Sequence, residues 1–147
     1  MHSIGEGLFA RALIRGRGET SSIHGMVTFC RCQNGILVSA EIRGLPKTEP
    51  GFFGFHIHQG DSCGGPNFSD TGRHFNPSGV DHPMHAGDLP PLMGCHGRAK
   101  MTVFTDRFSP EEILGRTVVI HSQPDDFRSQ PAGKAGEKIA CGVIRKV

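Results

Sequence analysis

The sequence predicts an all-β fold, and three observations carry that expectation. The 147 residues include 21 Gly and 10 Pro, about a fifth of the chain, which is too much punctuation for a helix bundle and suits short strands joined by turns. From Ile36 to Arg43 the pattern alternates with period two, with Ile36, Val38, Ala40 and Ile42 on one face and Leu37, Ser39, Glu41 and Arg43 on the other. Only Ser109-Pro110-Glu111-Glu112-Ile113-Leu114-Gly115 reads as a helix, one or two turns long, with an N-cap Ser, Pro at the first helical position and Gly closing it. The length fits a single domain over residues 1–147.

The strands follow in order. Met26 to Cys32 pairs with Ile36 to Arg43 through Gln33-Asn34-Gly35, because Asn-Gly accepts positive φ cheaply. Phe53, Phe55 and Ile57 alternate with Gly54, His56 and His58, so an apolar face enters the core and two imidazoles share the other face. Further strands are expected at Lys100 to Thr105, Thr117 to His121 and Ile139 to Ile144. Gln59 to Cys95 and Ser122 to Lys138 lack strand alternation and are rich in Gly, Pro, Asp and Asn. Loops this long in a compact domain usually carry function.

Composition narrows the function classes. No apolar run approaches the ~18 residues of a membrane span. A net charge of +2 with mixed signs is too weak a basic excess for a nucleic-acid partner. Met1 to Thr20 is interrupted by Glu6, Arg11, Arg15 and Arg17 and lacks a signal-peptide pattern, which slightly favours the cytoplasm over export to the periplasm.

Five of the nine histidines, His56, His58, His74, His82 and His85, fall within about thirty residues. His56-Ile57-His58 sets two imidazoles on one side of a strand, suited to one transition metal, although such pairs also arise on surface strands by accident. His74 to Asp88 brings three histidines and an aspartate into one loop, the donor set of tetrahedral zinc. His121 ends a strand, where a lone histidine is more often structural than a ligand, so its case depends on the other histidines. A metal on His56, His58 and His121 needs a fourth donor, and so does a metal on His82, His85 and Asp88. His74 can serve both, since a deprotonated imidazole has two ring nitrogens. An all-imidazole site suits Cu(II), and three His with an Asp suit Zn(II).

Through Gly54-Phe55-His56-Ile57-His58, His74-Phe75-Asn76-Pro77, His85-Ala86-Gly87-Asp88-Leu89, Gly115-Arg116-Thr117-Val118-Val119-Ile120-His121, Asp125-Asp126 and Gly136-Glu137-Lys138-Ile139-Ala140-Cys141-Gly142, the chain resembles the copper/zinc superoxide dismutase family over about four-fifths of its length. The resemblance implies an eight-stranded Greek-key β-barrel or sandwich, immunoglobulin-like, with two long functional loops. It implies copper at His56, His58, His74 and His121, and zinc at His74, His82, His85 and Asp88. Asp125 would orient one ligand of each metal, and Cys63 and Cys141 would form a disulfide. The implied activity is dismutation of the superoxide anion to dioxygen and hydrogen peroxide by redox cycling of copper, with His74 and Lys138 as catalytic residues. A homodimer is the partner the resemblance raises, but the N- and C-termini match the family poorly. The rivals are a non-catalytic module of the same fold that stores or passes on copper, which would be expected to lack a copper ligand, and a mononuclear zinc hydrolase, which needs an open zinc position.

Three features depart from the family pattern. His82 and His85 are only three positions apart, so the zinc segment is compact; Ser122 to Lys138 is short for the family's second loop; and Lys138 replaces the usual arginine beside copper, keeping the charge without the planar fork. Cys30 and Cys32 read as free thiols on the outer face of their strand, and Cys95 as incidental in a turn. Free thiols suit a reducing compartment and the implied disulfide an oxidising one, so the cysteines do not decide location.

Overall fold

Among the described residues, eight antiparallel strands form one sheet. They are β1 (Leu8–Gly16), β2 (His24–Cys32), β3 (Gly35–Arg43), β4 (Phe52–His58), β5 (Asp88–Met93), β6 (Ala99–Thr105), β7 (Thr117–His121) and β8 (Lys138–Lys146). They hydrogen-bond in the order β5-β4-β7-β8-β1-β2-β3-β6, and the two end strands β5 and β6 approach each other to close most of a barrel. This is the all-β barrel expected from the sequence. The computed structural model describes residues 7–147; residues 1–6, part of the stretch read above for a signal peptide, lie outside the described residues.

Period-two patterning decides what faces inward. Ile36, Val38, Ala40 and Ile42 of β3 are buried, and with Val27 and Phe29 of β2, Ala10, Ala12 and Ile14 of β1, and Phe53, Phe55 and Ile57 of β4 they fill one core. Each fully buried Phe or Ile contributes roughly 1.5–3 kcal/mol relative to exposure. The β2–β3 hairpin closes as expected, with Cys32 opposite Gly35 and Asn34 at φ 66°. Gly35 itself stays extended in the strand; it is glycine because a Cβ there would strike the Phe104 ring. A short α-helix, α1 (Pro110–Ile113), is capped where Glu112 Oε1 accepts from Ser109 N at 2.8 Å, and it buries Ile113.

Two strands escape a reading by residue pattern. β1 alternates, but its inward positions include the small Ala10 and Ala12, while Leu13, more than half exposed, breaks the polar face. β5 lies inside the segment Gln59 to Cys95 read above as lacking strand, and that reading is corrected here: Asp88-Leu89-Pro90-Pro91-Leu92-Met93 does pair with β4. Two prolines hide it, and they are tolerated because β5 is an end strand with one ladder side free. Lys138, read as the last loop residue, is instead the first residue of β8.

Cys63 and Cys141 form a disulfide across 78 positions, tying the first long loop to β8. The chain-entropy model gives a loop of that size roughly 4–5 kcal/mol. Phe68 and Val119 pack around the bridge. Cys30 and Cys32 are free and half-buried, and Cys95 is free and exposed.

Candidate metal centre

β4 sits between β5 and β7, so its second face lies under the long loops rather than in water. Alternation sends His56 and His58 to that face, and β7, paired alongside, delivers His121 from its end. The first loop then runs back along β4. Phe75 N donates to Ile57 O at 2.8 Å and Gln59 N to Arg73 O at 2.8 Å, which brings His74 opposite His58. β5 opens with Asp88 opposite His56. β4, β7 and the first loop thus aim imidazoles, and the start of β5 a carboxylate, into one buried volume.

Two four-donor groups result: His56, His58, His74 and His121, and His74, His82, His85 and Asp88, the donor atoms of each lying within 4.8 Å of one another. His74 belongs to both. Every predicted ligand is therefore in the cluster, and all six histidines are buried.

Hydrogen bonds fix which nitrogen each ring turns inward. His58 Nδ1 lies 2.9 Å from Gly72 O and His121 Nδ1 3.4 Å from Gly136 O, so each donates from Nδ1 and keeps Nε2 as a lone pair; the two Nε2 atoms are 3.2 Å apart. Asp125 accepts from both His56 Nε2 at 2.9 Å and His82 Nε2 at 2.7 Å, leaving both Nδ1 atoms free. A carboxylate that orients a ligand from each group in this way sets their tautomers. Gly133 (φ 68°) crosses directly over this contact, where a Cβ would fall on Asp125 Oδ1 and crowd His82 Nε2. Asp88 is anchored by His85 N at 2.9 Å and faces His74 Nδ1 at 2.9 Å.

The donors fit metal ions on grounds internal to the structure. His56 Nδ1, His74 Nε2 and His82 Nδ1 are buried without a hydrogen-bond partner. Leaving one such atom unsatisfied costs about 1–3 kcal/mol, and three in one cluster are the mark of lone pairs reserved for cations. Two of them face the all-imidazole group and one the mixed group, and the donor chemistry of the two groups suits Cu(II) and Zn(II) respectively.

Burial governs the titration of the metal-free cluster. It lowers His56 to about 4, against the opposing pull of Asp125, and His121 to about 3, aided by the charge of His56. It also holds His58 well below the usual range. Asp88 is pushed up by burial, but hydrogen bonding from His74 and three nearby imidazoles outweigh this and keep it below an ordinary carboxylate. Asp125, opposed by burial, is held far lower by His56 and His82. These histidines are neutral in the metal-free fold, whereas in the unfolded chain they take protons near pH 6.5. Stability of the metal-free protein should therefore be full above about pH 6.5 and fall as pH drops toward 4, by roughly 3 kcal/mol for His56 alone. Urea midpoints of chelator-treated protein between pH 7.5 and 4.5 check this; a flat profile would mean the rings are already charged in the fold.

Lys138 stands beside His121 in the β7–β8 ladder. Its Nζ donates to Thr71 Oγ1 at 2.7 Å and Gly72 O at 3.0 Å, and partial burial lowers its pKa. It lines a cavity of about 480 Å³ that also exposes His58, His74, His121 and Arg73. Gly72 and Gly136, which orient His58, His121 and Lys138, escaped the sequence reading because backbone carbonyls leave no residue-type signal, and Thr71, which reaches Lys138 through its hydroxyl, because the two lie 67 positions apart.

Comparison with known proteins agrees with this geometry. Residues 23–144 match the family described as copper/zinc superoxide dismutase (SODC). The chain is 35% identical to copper–zinc superoxide dismutase 2 of Aquifex aeolicus (strain VF5), over 90% of this chain and 84% of that protein. It is 33% identical to a copper–zinc superoxide dismutase of Deinococcus radiodurans, over 88% of this chain and 81% of that one. With one of Caulobacter vibrioides it shares 32%, over 82% of this chain and 78% of the other. A barrel that carries two donor groups joined by one histidine, and a family match over residues 23–144 that spans all of them, have one common account: the chain belongs to the copper/zinc superoxide dismutase family.

Proposed function

We propose that the protein dismutates superoxide to dioxygen and hydrogen peroxide, with copper held by His56, His58, His74 and His121 and zinc by His74, His82, His85 and Asp88. The observation that carries this reading is the shared His74, buried, with Nδ1 turned to Asp88 and His85 and Nε2 left without a partner on the side of His56. Copper supplies the one-electron couple when bound, and zinc a fixed positive charge on the shared ring.

The chain's own residues do the rest. Gly72 O and Gly136 O hold His58 and His121 in the tautomer that presents Nε2, and Asp125 holds His56 and His82 in the one that presents Nδ1. His74 Nε2 is the atom at which a proton is held and passed to reduced substrate, since its other nitrogen is committed to the second group. Lys138 sets a positive charge in the wall of the cavity, tied down by Thr71 and Gly72, where it attracts a small anion. Metal content of the purified protein, followed by superoxide decay with the copper-and-zinc-loaded form, tests the proposal; tight zinc with no copper-dependent decay would overturn it.

Lys138 yields a separate prediction. A focused positive charge raises association of an anion by factors of about 10 to 1000. Lys138→Gln should lower the second-order rate and flatten its dependence on ionic strength, and Lys138→Glu should lower it further. Lys138→Arg should equal or exceed the parent, because the fork offers paired donors to a dioxygen anion. Copper and zinc occupancy should not change. Should Lys138→Glu keep the parent's rate and salt slope, the residue has no part in guiding substrate.

A further inference from the structure

The segment His82-Pro83-Met84-His85 must aim two imidazoles into the interior although only two residues separate them and Met84 is well exposed. Its internal support is short-range: Met84 N donates to Asp81 O at 2.8 Å, Asp88 N to His85 O at 3.0 Å, and His85 N to Asp88 Oδ2 at 2.9 Å. None of these bonds touches the backbone of His82 or the carbonyl of Pro83, which are held by two other parts of the chain. Arg107, in the turn after β6, donates through Nη1 to Pro83 O at 2.7 Å and to His85 O at 3.3 Å, and its Nη2 lies 3.7 Å from Met84 Sδ. Gln130, in the second long loop, closes a two-way clasp on the His82 backbone, Oε1 accepting from His82 N at 2.9 Å and Nε2 donating to His82 O at 2.8 Å. Gln130 Nε2 also reaches Arg128 O at 3.1 Å, which fixes its amide on its own loop.

These contacts divide the work by residue. Asp125 orients the His82 ring, Gln130 fixes the His82 backbone, and Arg107 fixes the carbonyls of Pro83 and His85 that follow. A ring aimed by one carboxylate still swings if its Cα is free. A guanidinium suits the outer side of the segment because its rigid array of donors spans two carbonyls and a thioether at once.

We propose that Arg107 and Gln130 are positioning residues for the group His74, His82, His85 and Asp88, clamping from outside a turn too short to hold its own ligands. The inference rests on the reading that this group binds zinc. Loss of groups that orient metal ligands typically costs about 10- to 100-fold in affinity. Arg107→Gln and Gln130→Leu should therefore each weaken Zn(II) binding by about 10-fold or more. Cu(II) affinity of zinc-free protein should stay within about twofold of the parent, since neither residue touches His56, His58 or His121. Graded variants separate positioning from folding. Arg107→Lys keeps the charge but not the fork and should fall between parent and Arg107→Gln; Gln130→Glu keeps the acceptor for His82 N but turns a second acceptor onto His82 O and Arg128 O, and should weaken Zn(II) binding at least as much as Gln130→Leu.

The measurement is competition of the metal-free full chain with a chromophoric chelator for Zn(II), and separately for Cu(II), together with the visible spectrum of Co(II) placed in the zinc group and a urea midpoint as the check on folding. Selective loss of zinc affinity with an altered Co(II) spectrum supports the clamp. Zinc affinity equal to the parent in both Arg107→Gln and Gln130→Leu overturns it, and so does an equal loss of zinc and copper, which would mean general loosening. If the parent itself holds no Zn(II) against the chelator, the zinc reading fails, and the clamp loses its object with it.

Discussion

Replacing His74 by Ala should change both metals at once: the optical and paramagnetic signature of bound copper should shift, and zinc affinity should fall by more than the ~10- to 100-fold that follows loss of a merely orienting group. The reason is geometric. His74 is the one residue common to the two donor groups, its Nδ1 lies 2.9 Å from Asp88 Oδ1 and 3.2 Å from His85 Nδ1, and its Nε2 is buried with no partner. Alanine removes a donor from each side and no neighbouring residue can substitute, since His58 and His121 are committed through their Nδ1 atoms to Gly72 O and Gly136 O. Catalysed superoxide decay should fall in addition by the factor a positioned proton donor contributes, about 10² to 10⁴. Backbone pairing at this position survives, because Phe75 N to Ile57 O and the bridge to His58 use main-chain atoms, so the fold should persist. Titration of the metal-free variant with copper and zinc in turn checks this. A response confined to one metal would rule out the shared role.

How much of this was legible in the sequence depended on whether side chains or main chain carried the information. β3 and β4 were readable because Ile36 to Arg43 and Phe53 to His58 alternate strictly, and the same alternation located His56 and His58 on one face before any geometry was known. The candidate donors from His74 to Asp88 were readable because imidazoles and a carboxylate are rare together in a loop, whereas their division between two metals came from the family resemblance. β1 was not, since small inward alanines weaken the apolar signal, and β5 was not, since its prolines argue against any strand that is paired on both sides. The groups that orient the ligands were the least visible. Gly72 O and Gly136 O act through the main chain, and Arg107 and Gln130 reach His82–His85 across 22 to 48 positions with no local motif to announce them.

Asp125→Asn should weaken copper more than zinc, and the asymmetry follows from one extra hydrogen bond. The carboxylate accepts three N–H groups: His56 Nε2 on Oδ2, and both His82 Nε2 and Phe127 N on Oδ1. An amide keeps the shape but has one acceptor oxygen and one donor nitrogen. Phe127 N is a backbone donor with no alternative role, so the amide oxygen takes the Oδ1 position, where it still serves His82. The amide nitrogen then meets His56 Nε2, and two donors cannot face each other. His56 escapes by shifting its proton to Nδ1, the atom otherwise free to bind metal. Its contribution to the all-imidazole group is lost, while His82 keeps Nδ1 available for the mixed group. Cu(II) affinity and superoxide turnover should each fall by about 10- to 100-fold, with a smaller change in Zn(II) affinity. Chelator competition for the two metals measures the difference directly. Unaltered retention of both metals with unaltered turnover would show that Asp125 does not set these tautomers, and a loss concentrated in zinc would show that the amide settles the other way round, with its oxygen on His56.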